Sequence, residues 1–201
     1  MRYLLIFLIS FSSFAYVDLS IQYSASKRES ISDPNIEGDL MTETKTISAT
    51  WAWYIWEYTA LEFNYSKSEE TQLNTRRQQI EPTFVLTKTE TLTETEVKGI
   101  GLRLSFAKRR AFIVPTLSGG YALYTTQGRT DYDYEISGTS GSSSYEVDEE
   151  TSSSSYITAG LKFNFSKYMG ISLTAKSVME DFDFAQADKN ITYLAGLSWV
   201  F

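Results

Sequence analysis

Chemistry in this chain has to be done without imidazole or thiol, because its 201 residues include no histidine and no cysteine. That removes Ser–His hydrolysis, histidine acid–base catalysis, cysteine nucleophiles, disulfides and imidazole or thiolate metal sites. Carboxylates, amines and guanidiniums remain. Asp18, Glu62, Arg103, Lys162, Lys176 and Glu180 all fall on the polar parity of alternating segments. Three acids and three bases directed to one interior do one of two things. They form an ion path or proton relay, or they pair off and close a narrow space. Charge taken out of water needs a partner, so closure is the stronger reading. Depth and parity predict a Glu62–Arg103 ion pair. Lys162 and Lys176 are expected to reach toward Glu62 or Asp18 from the opposite wall.

A second group of acids lies between Thr125 and Tyr156: Asp131, Asp133, Glu135, Glu146, Asp148, Glu149 and Glu150. Carboxylate oxygens suit Ca²⁺, but the spacing matches no calcium loop. No catalytic residue, metal ligand or cofactor is expected.

The elements that hold these residues are read from one period. From Tyr16, apolar Val17, Leu19, Ile21, Tyr23 and Ala25 alternate with polar Asp18, Ser20, Gln22 and Ser24. Successive side chains of a strand face opposite sides, so this is a strand with one apolar and one polar face. The alternation returns over 47–53, 61–65, 100–106, 113–123, 157–165, 171–175 and 191–201. That makes eight strands. A soluble sandwich would turn the apolar faces together; a membrane barrel would turn them to lipid and fill its interior with the polar ones.

Three features favour the barrel. Trp51, Trp53, Phe106, Phe165 and Trp199 lie toward one end of the apolar faces and Tyr23, Tyr65 and Tyr121 toward the other, as candidate aromatic girdles. The polar faces carry glycine, serine and charge, which suits a wet lumen and not a dry core. Connections alternate in length: short at 55–57, 108–110 and 167–169, long at 27–43, 68–93, 126–153 and 180–189. Short turns on the periplasmic side and long loops outside are the outer-membrane arrangement.

Thr and mostly charged residues alternate over 87–96, which reads as a strand continuing beyond the membrane, polar on both faces. Tyr132, Tyr134 and Ile136 alternate on one arm of the next long segment and Tyr145 and Val147 on the other. Between them 137–142 is expected to be a flexible tip.

Composition agrees with strands. Apolar residues make up 42%, aromatics 15%, and there are only 3 prolines. Mean hydropathy of −0.23 argues against a helical membrane protein. A net charge of −7 argues against a nucleic-acid binder, which needs basic surface. Residues 1–15 read as a signal peptide: Arg2 supplies a positive start, 4–9 is apolar, and Ser13-Phe14-Ala15 carries small residues at the cleavage spacing. The mature domain is then 16–201, an all-β, eight-stranded antiparallel up-and-down transmembrane β-barrel with long extracellular loops.

With these residues in place the chain resembles the small eight-stranded outer-membrane barrels of Gram-negative bacteria, the group of OmpX and the OmpA transmembrane domain. The resemblance rests on the final strand, where Tyr193, Ala195, Leu197, Trp199 and Phe201 alternate up to a terminal aromatic. The Pro-containing stretch from Val114 to Tyr121 also looks like the fifth strand of that group. The resemblance implies an assembly signal made by Tyr193, Leu197, Trp199 and Phe201, read by the barrel-assembly machinery. It implies a monomer surrounded by outer-membrane lipid and lipopolysaccharide. It also implies a projecting sheet edge that pairs with strands of a surface protein ligand.

Four functions follow to be weighed. The first is a non-enzymatic surface barrel for envelope structure, adhesion or surface interaction. The second is a lipid-modifying enzyme; barrels of that kind use a histidine, which is absent here. The third is a narrow ion pore. The fourth is a soluble lipocalin-like binder, which needs an apolar lumen.

Overall fold

Residues 16–30, 39–180 and 191–201 are described by the computed structural model. The proposed signal peptide at 1–15, the centre of the first long connection and the connection after Glu180 lie outside the described residues, as does the side chain of Glu180 itself. β-Branched and aromatic residues alternating with polar ones favour extended backbone, and the described residues are strand almost throughout. The strands are β1 (Tyr16–Ser30), β2 (Leu40–Tyr54), β3 (Thr59–Asn74), β4 (Gln78–Glu81), β5 (Phe84–Ser105), β6 (Ile113–Ile136), β7 (Thr139–Asn164), β8 (Met169–Glu180) and β9 (Ile191–Val200).

Every pairing is antiparallel. The hydrogen-bonded order is β3-β2-β1-β9-β8-β7-β6-β5, and β3 also pairs with β5, so eight strands close a ring. The closing seam between β1 and β9 runs from Asp18↔Val200 to Tyr23↔Ala195. Phe201 finishes it by exchanging backbone hydrogen bonds with Val17. Short β4 joins the far end of β5.

Burial decides which face is inside. Asp18, Ser20, Gln22, Ser48, Glu62, Asn64, Lys162 and Ser198 are buried, while Ile21, Ile47, Ile100, Leu102, Leu161 and Leu197 on the alternate positions are exposed. Polar side chains fill the interior and apolar ones coat the outside, the reverse of a soluble core. Backbone groups in lipid have no water to bond, and a closed ring leaves no strand edge unpaired within it. The chain is therefore built as a transmembrane β-barrel.

The aromatic residues sort by height. Trp51, Trp53, Phe106 and Phe165 are exposed near the short-turn end, with Trp56, Phe112 and Tyr168 beside them on the turns. Trp51 stacks on Phe63, ring centroids 5.5 Å apart. Tyr23, Tyr65, Tyr121 and Tyr193 are exposed toward the other end.

Two expectations about the connections need correction. Of the long connections, 87–96 and the two arms around Tyr132 and Tyr145 are strand, as their alternation suggests, and the rest of 68–93 and 126–153 is also mostly paired strand and not loop. β3 and β5 pair continuously out to Asn74↔Thr89, and β6 and β7 pair out to Ile136↔Thr139. Backbone groups outside the bilayer are still better satisfied by a neighbouring strand than left to a long irregular loop. The supposed flexible tip at 137–142 is a two-residue turn. Ser137 and Gly138 both take positive φ, 50° and 82°, the mirror-image geometry that matches strand twist. Thr139 to Ser142 are already in the ladder.

The wall is consequently uneven. β7 has 26 residues and β9 has 10, where about 9–11 residues cross a bilayer. β5, β6 and β7 project far beyond the barrel as a sheet. Among the described residues β8 pairs with β7 only from Ser154 to Asn164. Among the described residues no strand pairs with the outer side of β7 from 139 to 153.

Candidate functional site

The lower lumen is closed by side chains from four strands, β1, β3, β5 and β7. Arg103 on β5 donates from Nε to Glu62 Oε2 on β3 at 2.6 Å, and its Nη1 stands 3.9 Å from Asp18 Oδ2. Lys162 on β7 donates to the same Asp18 oxygen at 2.5 Å. The Tyr156 hydroxyl donates to the other oxygen of Glu62 at 3.3 Å. The register explains why these groups meet: Ala60 faces Arg103 and Glu62 faces Gly101 across the β3–β5 ladder. Gly101 and Gly120 face each other on β5 and β6. A Cβ on Gly101 would collide with the Gly119 carbonyl and the Tyr156 hydroxyl, and one on Gly120 with the Ile100 carbonyl. Their bare backbones let the wall close in and give Tyr156 its route to Glu62.

Lys176 is placed differently from the expectation. Among the described side chains it reaches no carboxylate. Its ammonium donates to Asn64 Oδ1 at 3.1 Å and Ser66 Oγ at 3.0 Å. Lys176 sits on β8 well above Lys162, out of hydrogen-bond reach of both acids. Glu180 lies four residues further along β8, and its side chain is outside the described residues.

Sequence reasoning missed several members of this plug. Tyr54 and Tyr156 have inward parity but lie just past the segments in which alternation was counted. Tyr54 shares a hydrogen bond with Ser105 at 2.9 Å. Gln22 on β1 donates to Ser172 and Thr174 on β8 at 2.9 and 2.6 Å, over the intervening β9. Arg109, read only as part of a short turn, folds beneath the barrel. Its guanidinium lies 4.3 Å from the Tyr16 ring centroid and 4.6 Å from that of Tyr54, and Asn164 pins the turn through the carbonyls of Arg109 and Ala111. No local spacing in the sequence marks it.

The space left among the plug residues is about 30 Å³, room for no more than a few water molecules. An ion path needs a file of waters. Above the plug the lumen widens to a well of about 760 Å³ that Lys176 also lines.

The projecting sheet is the other candidate site. On its outer face stand Lys88 with Glu90, Lys67 with Glu94, and Arg129 with Asp131, each paired at 2.8–2.9 Å. Arg129, by hydrogen bond and charge, holds the Asp131 carboxyl below its ordinary value of 3.8. Two bulges shape the sheet. On β7, Asp148 and Glu149 together oppose Gln127, and on β5 Thr87 is the extra residue. Beyond the β7 bulge Tyr145 faces Thr130 and Val147 faces Gly128, which puts them on the same face as Tyr132. The two hairpin tips are tied together by Ser137 N–H to the Thr83 carbonyl at 2.9 Å and by Arg77 to Glu135 at 2.8 Å. The outward residues of the last strand, Tyr193, Leu197 and Phe201, are exposed to the lipid side, and Trp199 is half-buried there. Among the described residues no cluster of acids is arranged to hold a metal ion.

An eight-stranded ring with a charge-paired lumen and an apolar outside defines a small transmembrane β-barrel. No protein-family model and no curated protein matches the chain. Among solved structures it is similar to the N-terminal β-barrel domain of OprF from Pseudomonas aeruginosa, at 11% identity over 93% of this chain and 97% of that one, TM-score 0.46. It is also similar to Ail, the attachment invasion locus protein of Yersinia pestis, at 14% identity over 93% and 99%, TM-score 0.45. A third is Neisserial surface protein A, at 13% identity over 92% and 94%, TM-score 0.32.

Proposed function

We propose that the chain is a non-enzymatic barrel of the bacterial outer membrane whose projecting sheet makes contacts at the cell surface. The observation that carries this reading is the pairing of a closed lumen with a projecting strand edge that no described strand covers. The chain has neither histidine nor cysteine to serve a hydrolytic site. The lumen is spent on ion pairs that close it, which weighs against the ion-pore alternative. The N–H and C=O groups of β7 from 139 to 153 that no described strand takes up are a template for a strand of a surface protein. In this reading 1–15 is removed on export. Tyr193, Leu197, Trp199 and Phe201 are presented to the barrel-assembly machinery, and the barrel sits as a monomer among lipid and lipopolysaccharide.

The chain's lack of cysteine makes the test clean. Ser140→Cys at the sheet tip and Lys108→Cys at the short-turn end are expressed separately and exposed on intact cells to a membrane-impermeant maleimide. Labelling of the first alone is expected. The reverse pattern overturns the orientation, and steady conductance in planar bilayers overturns the closed lumen.

A further inference from the structure

Among the described residues, the pairing of β7 with β8 stops at Ser154↔Glu180, while its pairing with β6 runs on to Ile136↔Thr139. Chain length keeps the undescribed connections from covering the rest of that edge. Ten residues separate Glu180 from Ile191, and Ile191 is back in the ladder opposite Ser177. Going out and returning, ten residues reach no more than about 20 Å beyond Glu180. That is about six residues along β7, short of Val147. Residues 31–38 are fewer. Tyr23 is in register with Ala195, Leu173 and Leu161 in turn, so Ser30 stands level with Ser154 and three strands away. The backbone groups that 139–147 turn away from β6 are therefore left to another chain.

The faces beside that edge tell which chain it suits. Tyr145 and Val147 project on the face of Tyr132 and are 62% and 51% exposed. Glu146 projects on the opposite face, across from Arg129, whose guanidinium is already paired with Asp131. Asp148 and Glu149 follow in the bulge, exposed like Glu146. Arg129 is the only cation between Thr125 and Tyr156, against seven acids. A second copy would bring the same excess of acid to the same edge, and like charges across a ladder oppose pairing.

We propose that 139–147 takes, as an added strand, a segment of another protein in which basic residues alternate with apolar ones. This rests on the surface-contact reading and names the chemistry of its partner. The backbone of the segment continues the ladder. Its apolar side chains extend the tyrosine face beside Tyr145 and Val147, and its cations meet Glu146 and the bulge acids.

The test uses the full barrel in lipid nanodiscs and short capped peptides carrying a fluorophore. One alternates lysine with valine, and a second alternates glutamate with valine. A third is the first with every backbone nitrogen methylated, so that it keeps its charge but has no N–H to donate. Saturable binding of the first is expected, with slowed amide exchange over 139–147. The second and third are expected to bind at least about tenfold more weakly. Combining Glu146→Gln, Asp148→Asn and Glu149→Gln, all outside the barrel, is expected to weaken the first about tenfold. Equal binding of the glutamate peptide, with the same protection, overturns the basic partner and leaves the edge reading standing. Equal binding of the methylated peptide, or unchanged exchange over 139–147, overturns strand addition. A barrel that sediments as a dimer with 139–147 already protected assigns the edge to a second copy and overturns the proposal. If no peptide binds the proposal falls, while the outward orientation of the sheet is decided separately by labelling at Ser140→Cys.

Discussion

Two arginine–glutamate contacts in this protein look alike on paper. Arg103 meets Glu62 at 2.6 Å within the barrel, and Arg77 meets Glu135 at 2.8 Å in the projecting sheet. Their surroundings separate them. The side chains of the first pair are 13% and 2% exposed, those of the second 58% and 35%. In the lumen each charge has lost its water, so losing the partner strands the other. In the sheet water replaces a lost partner at once. Distance alone does not rank ion pairs; burial does.

Breaking the lumen pair gives the largest effect. Glu62→Gln and Arg103→Met are each expected to cost about 3–5 kcal/mol, read as a shift in urea refolding midpoint at constant slope. The double variant should cost much less than the two together. Simple additivity would show that the pair is not coupled.

Glycine substitutions sharpen the same contrast. Gly120→Ala puts a Cβ against a backbone carbonyl inside the closed ring and is expected to cost about 1–3 kcal/mol. At the sheet tip Gly138→Ala meets nothing in space and bears only its positive φ, about 1 kcal/mol. That change should appear as faster amide exchange confined to the hairpin, with the barrel unmoved.

The exposed pair comes third. Arg77→Met is expected to shift global stability by no more than about 0.5 kcal/mol, and high salt should erase the difference from the native protein. A shift as large as that of Arg103→Met would break the comparison.

The smallest effect concerns acid. Because the Asp131 carboxyl is held below its ordinary value by Arg129, its contribution is present above the unfolded value near 3.8 and is lost as pH falls through the lower folded value. Amide exchange around Arg129 and Asp131 should therefore quicken only in strong acid, and Asp131→Asn should remove that dependence.

Much of this was legible in the residues. Alternation is a two-residue signal, so eight runs of it give the strands of the ring and the inward direction of Asp18, Glu62, Arg103 and Lys162. Periodicity cannot tell where pairing stops, because hydrogen bonds in the ladder are made by backbone and not by side chains. Hence 68–93 and 126–153 read as connections, with strand visible only over 87–96 and on the two alternating arms, although almost all of both is paired. The height of a side chain depends on stagger around the whole ring, which is why Lys176 and its neutral partners Asn64 and Ser66 could not be foreseen. Arg109 reaches its aromatic rings by the folding-under of a turn, a geometry no spacing rule carries.

The bulge at Asp148 and Glu149 has one more consequence. It absorbs a single extra residue of β7, which in an unbulged ladder would shift the register by one step and swap the strand's faces. Removal of one codon there would let the ladder run on without the bulge: Tyr145 would still face Thr130 and Val147 would still face Gly128, and what would go is the local bend and added twist. The aim of the outer arm is therefore controlled by chain length, and one insertion or deletion can re-point it without changing which side chains its faces carry or touching the barrel below.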